Sequence, residues 1–426
     1  MNYTNFTVET RRRGAFEGIL KSMMHILPEK PLRLCVSAVI LIFISASAYS
    51  QVAVKGETVW TMTGEPITNG VVLVNNGKIE AVGPASQVNI PANYRVVNAK
   101  VVTPGLIDAH TVIGLNGYLN QPHDQMALDG GSSVQPELRA IDAYNAEEKL
   151  VEWVREFGVT TIHTGHQPSA LISGQTMIAK TTGKNVDQAT IVPVAMIAVT
   201  LGDAANAGAG KSPGSRAKQA AMLRAELIKA QEASKKTEPQ TDLKTAIMIR
   251  VIKREIPLLI TAEAAVDIMT ALRIAKEFNI KIVLDGAADG HMLLNEIKAS
   301  GFPVIVHPTM ARPGGDRENL SMENVSKLRA AGIPVALQSG YEGYVPKTRV
   351  VLFEAAMAAA NGLSQRDALA TITIDAAKIL GIDNRVGSIA VGKDADLAMY
   401  DGDPFEFTTH CTGTMINGVV VSTVVR

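Results

Sequence analysis

Short stretches in which apolar and polar residues alternate occur at both ends of the chain. Such alternation is typical of half-buried β-strands, and one pair of stretches is joined by an Asn-Asn-Gly turn. Neither end supplies a stable sheet alone, since about three or more strands with a shared apolar face are needed. We therefore predict that 51–99 and 387–426 form one composite β-sandwich. The alternating stretches are 58–62, 71–74, 78–82, 396–400 and 414–421.

Between these ends, apolar strands alternate with amphipathic helices. This order is typical of a parallel α/β sheet, and the number of repeats favours a (β/α)8 TIM-like barrel over 100–386. The pattern alone does not separate a closed barrel from an open sheet. Strands are predicted at 100–107, 160–164, 190–198, 258–262, 281–285, 304–307 and 335–338, and helices at 217–235, 267–278 and 365–380.

The first fifty residues have the pattern of an export signal rather than of a fold. Basic residues, including Arg11, Arg12 and Arg13, precede a charge-free apolar run over 34–48, and small residues follow. That run is about 15 residues long, short of the roughly 20 that span a bilayer. We predict a signal peptide over 1–50, cleaved near Ser50, and a periplasmic or extracellular protein; an uncleaved anchor is the alternative.

Charge and cysteine content narrow the classes of partner and site. The 41 basic and 41 acidic residues cancel, so no overall field attracts nucleic acid. Cys35 lies in the predicted signal, which leaves Cys411 alone in the mature chain and excludes an intramolecular disulfide.

Two motifs carry a family resemblance. The stretch 102–110, Val-Thr-Pro-Gly-Leu-Ile-Asp-Ala-His, resembles the first barrel strand of the amidohydrolase superfamily, and 387–397, Gly-Ser-Ile-Ala-Val-Gly-Lys-Asp-Ala-Asp-Leu, is similar to the return to the sandwich in imidazolonepropionase- and dihydroorotase-like members. Residues 373–380 match the penultimate helix of the family. The resemblance covers about 52–426 and implies a metal-dependent hydrolase of carbon–nitrogen bonds.

The metal ligands implied by the resemblance are mostly replaced in this sequence. His110 matches the first histidine, but Val112, Thr261 and Gly340 stand where a second histidine, a third histidine and an aspartate are expected. Asp285 stands at a further histidine position. Since valine, threonine and glycine do not replace imidazole or carboxylate as ligands, we expect no binuclear centre.

A rebuilt mononuclear site is the main alternative. His163 and His166 lie at the end of a predicted strand, and together with His110 they are candidate ligands for one divalent metal such as zinc. For His163 and His166 local hydrogen bonding is the favoured interpretation, and for His110 a residue that fixes the strand end explains the sequence equally well. Asp285 is the candidate catalytic carboxylate of such a site.

Further polar residues are predicted at the same barrel rim. Glu263 is a candidate pocket residue that would pair with Asp285, and His307 is a candidate ligand contact. Lys180 is a candidate for the bridging-lysine position of the family, but a solvated lysine is the favoured interpretation. His291 is assigned to a surface or capping role.

Three classes of function therefore stay open. The chain is a non-catalytic barrel that binds a small cyclic amide-like molecule, a degenerate subunit that stabilises an intact amidohydrolase paralogue or a homo-oligomer, or a hydrolase with a mononuclear metal site. The loss of most mapped ligands favours the first two.

Overall fold

A computed structural model describes residues 51–119, 121–208, 210–237, 240–307, 311–341 and 350–426. The predicted signal over 1–50 lies outside the described residues. The strands are β1 Val52–Val59, β2 Ile67–Asn75, β3 Lys78–Pro84, β4 Arg95–Pro104, β5 Leu106–Thr111, β6 Val159–Thr164, β7 Ile172–Gln175, β8 Met177–Lys180, β9 Thr190–Val192, β10 Ile197–Thr200, β11 Leu258–Ala262, β12 Ile282–Gly286, β13 Val304–Val306, β14 Val335–Leu337, β15 Leu397–Tyr400, β16 Cys411–Ile416 and β17 Val419–Ser422. The α-helices are α1 Lys149–Arg155, α2 Val186–Ala189, α3 Arg216–Ser234, α4 Leu243–Ile252, α5 Ala265–Phe278, α6 Leu294–Ser300, α7 Asn324–Ala330, α8 Val350–Ala360, α9 Gln365–Thr371 and α10 Ile374–Ile379.

Strands from both ends of the chain share one seven-stranded sheet in the order β17-β16-β15-β4-β1-β2-β3. The two ends meet where β4 pairs with β15, antiparallel, with Leu397 opposite Pro104. The sheet folds back on itself, since Ile79 donates its N–H to the carbonyl of Lys393 at 3.0 Å. Buried apolar side chains such as Val72 fill the space between its two halves.

Two further sheets form the α/β part of the chain. One has the order β14-β13-β12-β11-β10-β7 and the other β5-β6-β8-β9. They are connected at one side because β7 and β8 flank Thr176 in the chain, and at the other by a bridge between Thr111 and Gly340. The fold is thus a TIM-barrel-like α/β architecture with a sandwich domain.

The expected closed sheet of eight parallel strands is not observed among the described residues. β7 runs antiparallel to β10, and β8 runs antiparallel to β6. The sequence pattern shows which residues are buried but not the direction of a strand, so this reversal was missed. β10 to β14 are parallel as expected.

Three predicted elements are each divided in two. The predicted strand over 100–107 consists of the end of β4 and the start of β5, which part at Gly105, where an added Cβ would lie 2.2 Å from the hydroxyl of Thr160. The predicted strand over 190–198 separates into β9 and β10. The predicted helix over 365–380 breaks between α9 and α10, where the carbonyl of Ile372 accepts the N–H of Ile107 at 2.8 Å.

The long helix α3 and the amphipathic helix α5 match their predicted ranges closely. Within the described residues, no helix is long and apolar enough to span a membrane.

Candidate functional site

Polar side chains gather at the carboxyl ends of β11 to β14. The buried residues Leu259, Val283, Ile305 and Ala336 belong to one apolar cluster. The residue two positions later on each strand points to the same face because side chains alternate along a strand. Those next residues are Thr261, Asp285, His307 and Gln338.

At the centre of this layer lies a buried pair of His110, from β5, and Asp285, from β12. Nδ1 of His110 is 3.0 Å from Oδ1 of Asp285, and both side chains are almost fully buried. Since the ionised carboxylate only accepts hydrogen bonds, Nδ1 of His110 carries the proton. Nε2 of His110 is buried without a hydrogen-bond partner among the described residues.

Three more donors surround the carboxylate of Asp285. Its oxygens accept hydrogen bonds from the Thr261 hydroxyl at 2.6 Å, the Gln338 amide at 2.7 Å and the Tyr341 hydroxyl at 3.1 Å. Burial alone would raise the pKa of Asp285, but the charge and hydrogen bond of His110 and the hydroxyl of Thr261 lower it below its ordinary value. Asp285 is therefore an ionised, fully engaged carboxylate at neutral pH.

His163, on β6, packs beside the pair, with its ring centroid 5.8 Å from that of His110. Nδ1 lies 2.7 Å from the carbonyl of Ala109 and Nε2 lies 2.7 Å from the hydroxyl of Thr176. Burial, and then the charge of His110, lower the pKa of His163 to about 3. The ring is neutral, its N–H donates to Ala109, and its lone pair accepts from Thr176, so neither nitrogen is available to a ligand.

His166 does not join this group. Its Nε2 is buried without a hydrogen-bond partner in the described chain, and it lies against Gly174, where an added Cβ would be 2.4 Å away. Burial lowers the pKa of His166. Among the described residues its side chain forms no hydrogen bond or ion pair with His110 or Asp285.

A cavity of about 290 Å³ opens above the buried pair. Thr261 and Tyr341 separate it from Asp285, since both line the cavity and both donate to that carboxylate. The other lining side chains include Glu263, His307 and Arg317. The predicted pocket residues Glu263 and His307 thus face one space, whereas Asp285 lies behind its wall.

Glu263 follows β11 and is held in a cradle of backbone. Oε2 accepts the N–H of Ala288 at 3.1 Å, and a Cβ added at Gly286, whose φ is +80°, would lie 2.7 Å from the carboxyl group. Burial, and then the negative charge of Asp285, raise the pKa of Glu263 to about 7. The carboxyl therefore exchanges its proton near neutral pH, which is typical of groups in functional sites.

Tilted aromatic rings and a guanidinium form a further part of the cavity lining. The ring of Tyr341 lies 5.1 Å from that of His110 and 5.0 Å from that of His307. Nη1 of Arg317 is 3.5 Å from Nδ1 of His307. Tyr341 thus lies between the buried pair and the cavity and contacts both.

An ionic network fixes the rim segment that carries Arg317. Arg216, at the start of α3, contacts Asp267 at 2.9 Å and Asp316 at 2.6 Å. Asp316 also accepts the N–H of Asp203 at 2.6 Å. The loop after β10 and the loop after β13 are therefore joined across the cavity mouth.

Lys180 has a structural role, and the favoured prediction of a solvated lysine is wrong; its engagement by two carboxylates does not fit a bridging metal ligand either. Its ammonium is buried between Asp394 at 2.8 Å and Asp396 at 3.0 Å, and also contacts Asn417. It joins β8 to the segment that leads into β15. His291 lies in a short 3-10 helix, Ala288–Met292, partly exposed, as expected for a surface residue.

The side chains present do not fit the metal centre that the resemblance implies. Asp285 is engaged by four donors and His163 by two partners, which leaves His110 Nε2 as the one unengaged atom of these three residues. Val112 is packed in the apolar core, and Gly340 forms the bridge to Thr111. Among the described residues, no group of three or more histidine, cysteine, aspartate or glutamate side chains is arranged to hold a metal.

Sequence reasoning missed four residues of the site: Gln338, Tyr341, Arg317 and Arg216. Gln338 had a signal, because it lies two positions after a buried strand residue, as Asp285 does. The other three lie in or beside loops, whose contacts no local pattern predicts.

Comparison with known proteins agrees with the fold and the motifs. The chain is 26% identical to an imidazolonepropionase of Sphingopyxis alaskensis, with 81% of this chain and 91% of the relative covered, and 24% identical to one of Shewanella sp. (strain MR-4), with 79% and 87% covered. The solved structure of an amidohydrolase from Thermotoga maritima MSB8 is 28% identical, with a TM-score of 0.83 over 88% of this chain and 100% of that one. The model of the amidohydrolase family matches residues 205–422, and the chain belongs to that family.

Proposed function

We propose that the protein binds a small polar molecule in the rim cavity and does so without a binuclear metal centre. The observation that carries this proposal is the hydrogen bonding of Asp285. Its carboxylate accepts hydrogen bonds from four side chains: His110, Thr261, Gln338 and Tyr341. A carboxylate with four donors around it is stabilised where it stands and would lose those bonds to bind a metal.

The cavity supports the binding role because several polar side chains converge on one concave space at the ends of the strands, as is typical of small-molecule sites. Glu263, His307, Arg317 and Tyr341 all face it. Fold membership alone does not decide activity, so the proposal depends on these side chains and not on the family.

The test is a thermal-shift screen of small polar molecules on protein treated with a chelator. We expect at least one compound to raise the unfolding temperature, and Tyr341→Phe to keep the fold while changing that response. Binding that appears only after a divalent metal is added would contradict the proposal.

Hydrolysis of a cyclic amide through one metal is the second candidate. Two observations favour it: similarity to imidazolonepropionases and the unengaged Nε2 of His110. About one metal per chain, together with hydrolysis of a cyclic amide, both lost in His110→Ala, would establish this candidate instead. Export of the protein, and a paralogue or a second copy of the chain as its partner, stay proposals that rest on the sequence.

A further inference from the structure

The charged groups around the rim cavity are unevenly paired. Asp203 and Asp316 both contact Arg216, at 3.6 Å and 2.6 Å. Arg317 and Glu263 also line the cavity, yet within the described residues neither forms an ion pair with another side chain. The two opposite charges attract each other electrostatically, but among the described residues neither is in ion-pair contact with the other or with a third side chain, and both face one small space.

The backbone that carries Arg317 is anchored beside the cavity, while its guanidinium has few contacts. Its neighbour Asp316 is anchored by Arg216 and by the N–H of Asp203. Within the described chain, the side chain of Arg317 has one hydrogen-bond contact, 3.5 Å long, to Nδ1 of His307. Most N–H donors of the planar guanidinium are therefore available for hydrogen bonds, and their geometry matches a carboxylate.

Glu263, which lines the same cavity, offers the complementary group. Oε2 accepts the N–H of Ala288, while Oε1 has no hydrogen bond among the described residues. Asp285 lies behind it and repels its negative charge. A ligand cation beside Glu263 would relieve that repulsion, so an ammonium group is favoured there over a second anion.

The size of the cavity limits the ligand. A volume of about 290 Å³ corresponds to roughly ten water molecules. Building on the proposed function, we propose that the ligand is a small zwitterion of the amino-acid type, with its carboxylate on Arg317 and its ammonium on Glu263.

The experiment compares charge patterns on one carbon skeleton. The common L-amino acids are first screened by thermal shift on chelator-treated protein. The amino acid that stabilises most is then compared by calorimetry with its analogue lacking the amino group and its analogue lacking the carboxylate. We expect each singly charged analogue to bind at least roughly tenfold more weakly, since each loses one charge-assisted contact.

Variants assign each charge to its residue. Arg317→Gln should weaken the binding of the zwitterion and of the carboxylate-only analogue but leave the binding of the amine-only analogue unchanged. Glu263→Gln should weaken the binding of the zwitterion and of the amine-only analogue but leave the binding of the carboxylate-only analogue unchanged. Arg312→Gln is the matched control, because Arg312 is exposed on the same segment and does not line the cavity. The comparison of analogues on wild-type protein needs no variant and stands even if one fails to fold.

Each result decides a different statement. If singly charged or neutral compounds bind as tightly as the amino acids, or if only other small molecules bind, the zwitterion assignment is wrong while small-molecule binding stands. If no compound binds the wild-type protein, both proposals fail. An equal loss of affinity for both singly charged analogues in Arg317→Gln would also overturn the assignment.

Discussion

Replacing Lys180 by methionine tests the ionic centre that joins the sandwich to the α/β part. The side-chain ammonium of Lys180 is 4% exposed and lies between Asp394 and Asp396. Asp394 also contacts Lys78 and Arg385. For Asp396, by contrast, Lys180 is the one cation in contact among the described residues. Methionine keeps most of the side-chain volume, so the change removes the charge and leaves the carboxylate of Asp396 buried.

Removing one partner of a buried ion pair costs about 3–5 kcal/mol, and we expect a loss of that size in the free energy of urea unfolding at neutral pH. Lys78→Met is the control: Lys78 contacts Asp394 but is 52% exposed, and an exposed pair contributes about 0–1 kcal/mol. Adding Asp396→Asn to Lys180→Met should restore part of the loss. If Lys180→Met costs no more than Lys78→Met, the reasoning about this centre is refuted.

Three further predictions concern the cradle of Glu263 and the N-terminus. Gly286→Ala should destabilise the protein by about 1–3 kcal/mol because φ is positive there, and it should also weaken ligand binding. The control is Gly301→Ala: Gly301 has a similar φ of +70° with open space around it, so this variant should lose stability but keep its ligand affinity. The pKa of Glu263 is raised from 4.5 to about 7, so its contribution to stability is complete below pH 4.5 and is lost as the pH rises through about 7; in Glu263→Gln the urea midpoint should fall less over this window, and an unchanged slope would contradict the shift. The intact mass of exported protein should correspond to a start near Gln51, whereas a product that retains 34–48 would indicate an anchor.

The sequence predicted those elements whose signal is local. Continuous apolar runs marked β11 and β12, and the 3.6-residue period marked α5. The carboxyl ends of adjacent parallel strands meet at one edge, which is why Glu263, Asp285 and His307 could be expected together.

Features that depend on contacts between distant segments were not predictable in this way. The reversed direction of β7 and β8 leaves no trace in the burial pattern. The sequence favoured a solvated Lys180, because the acidic residues that bury it lie more than two hundred positions away in the chain and leave no local signal. Tyr341 and Arg317 reach the site from rim loops, whose positions are set by tertiary contacts.

The most direct test of the central claim is the metal content of the protein after dialysis and after reconstitution with zinc, nickel or manganese. The claim is that the atoms of His163 and Asp285 that could bind a metal are already engaged in hydrogen bonds. Too few ligands are then left for a stable metal site. Elemental analysis should therefore find well under one metal per chain, with the same value in wild type and in His110→Ala. One or two tightly held metals in wild type, absent from His110→Ala, would contradict the account.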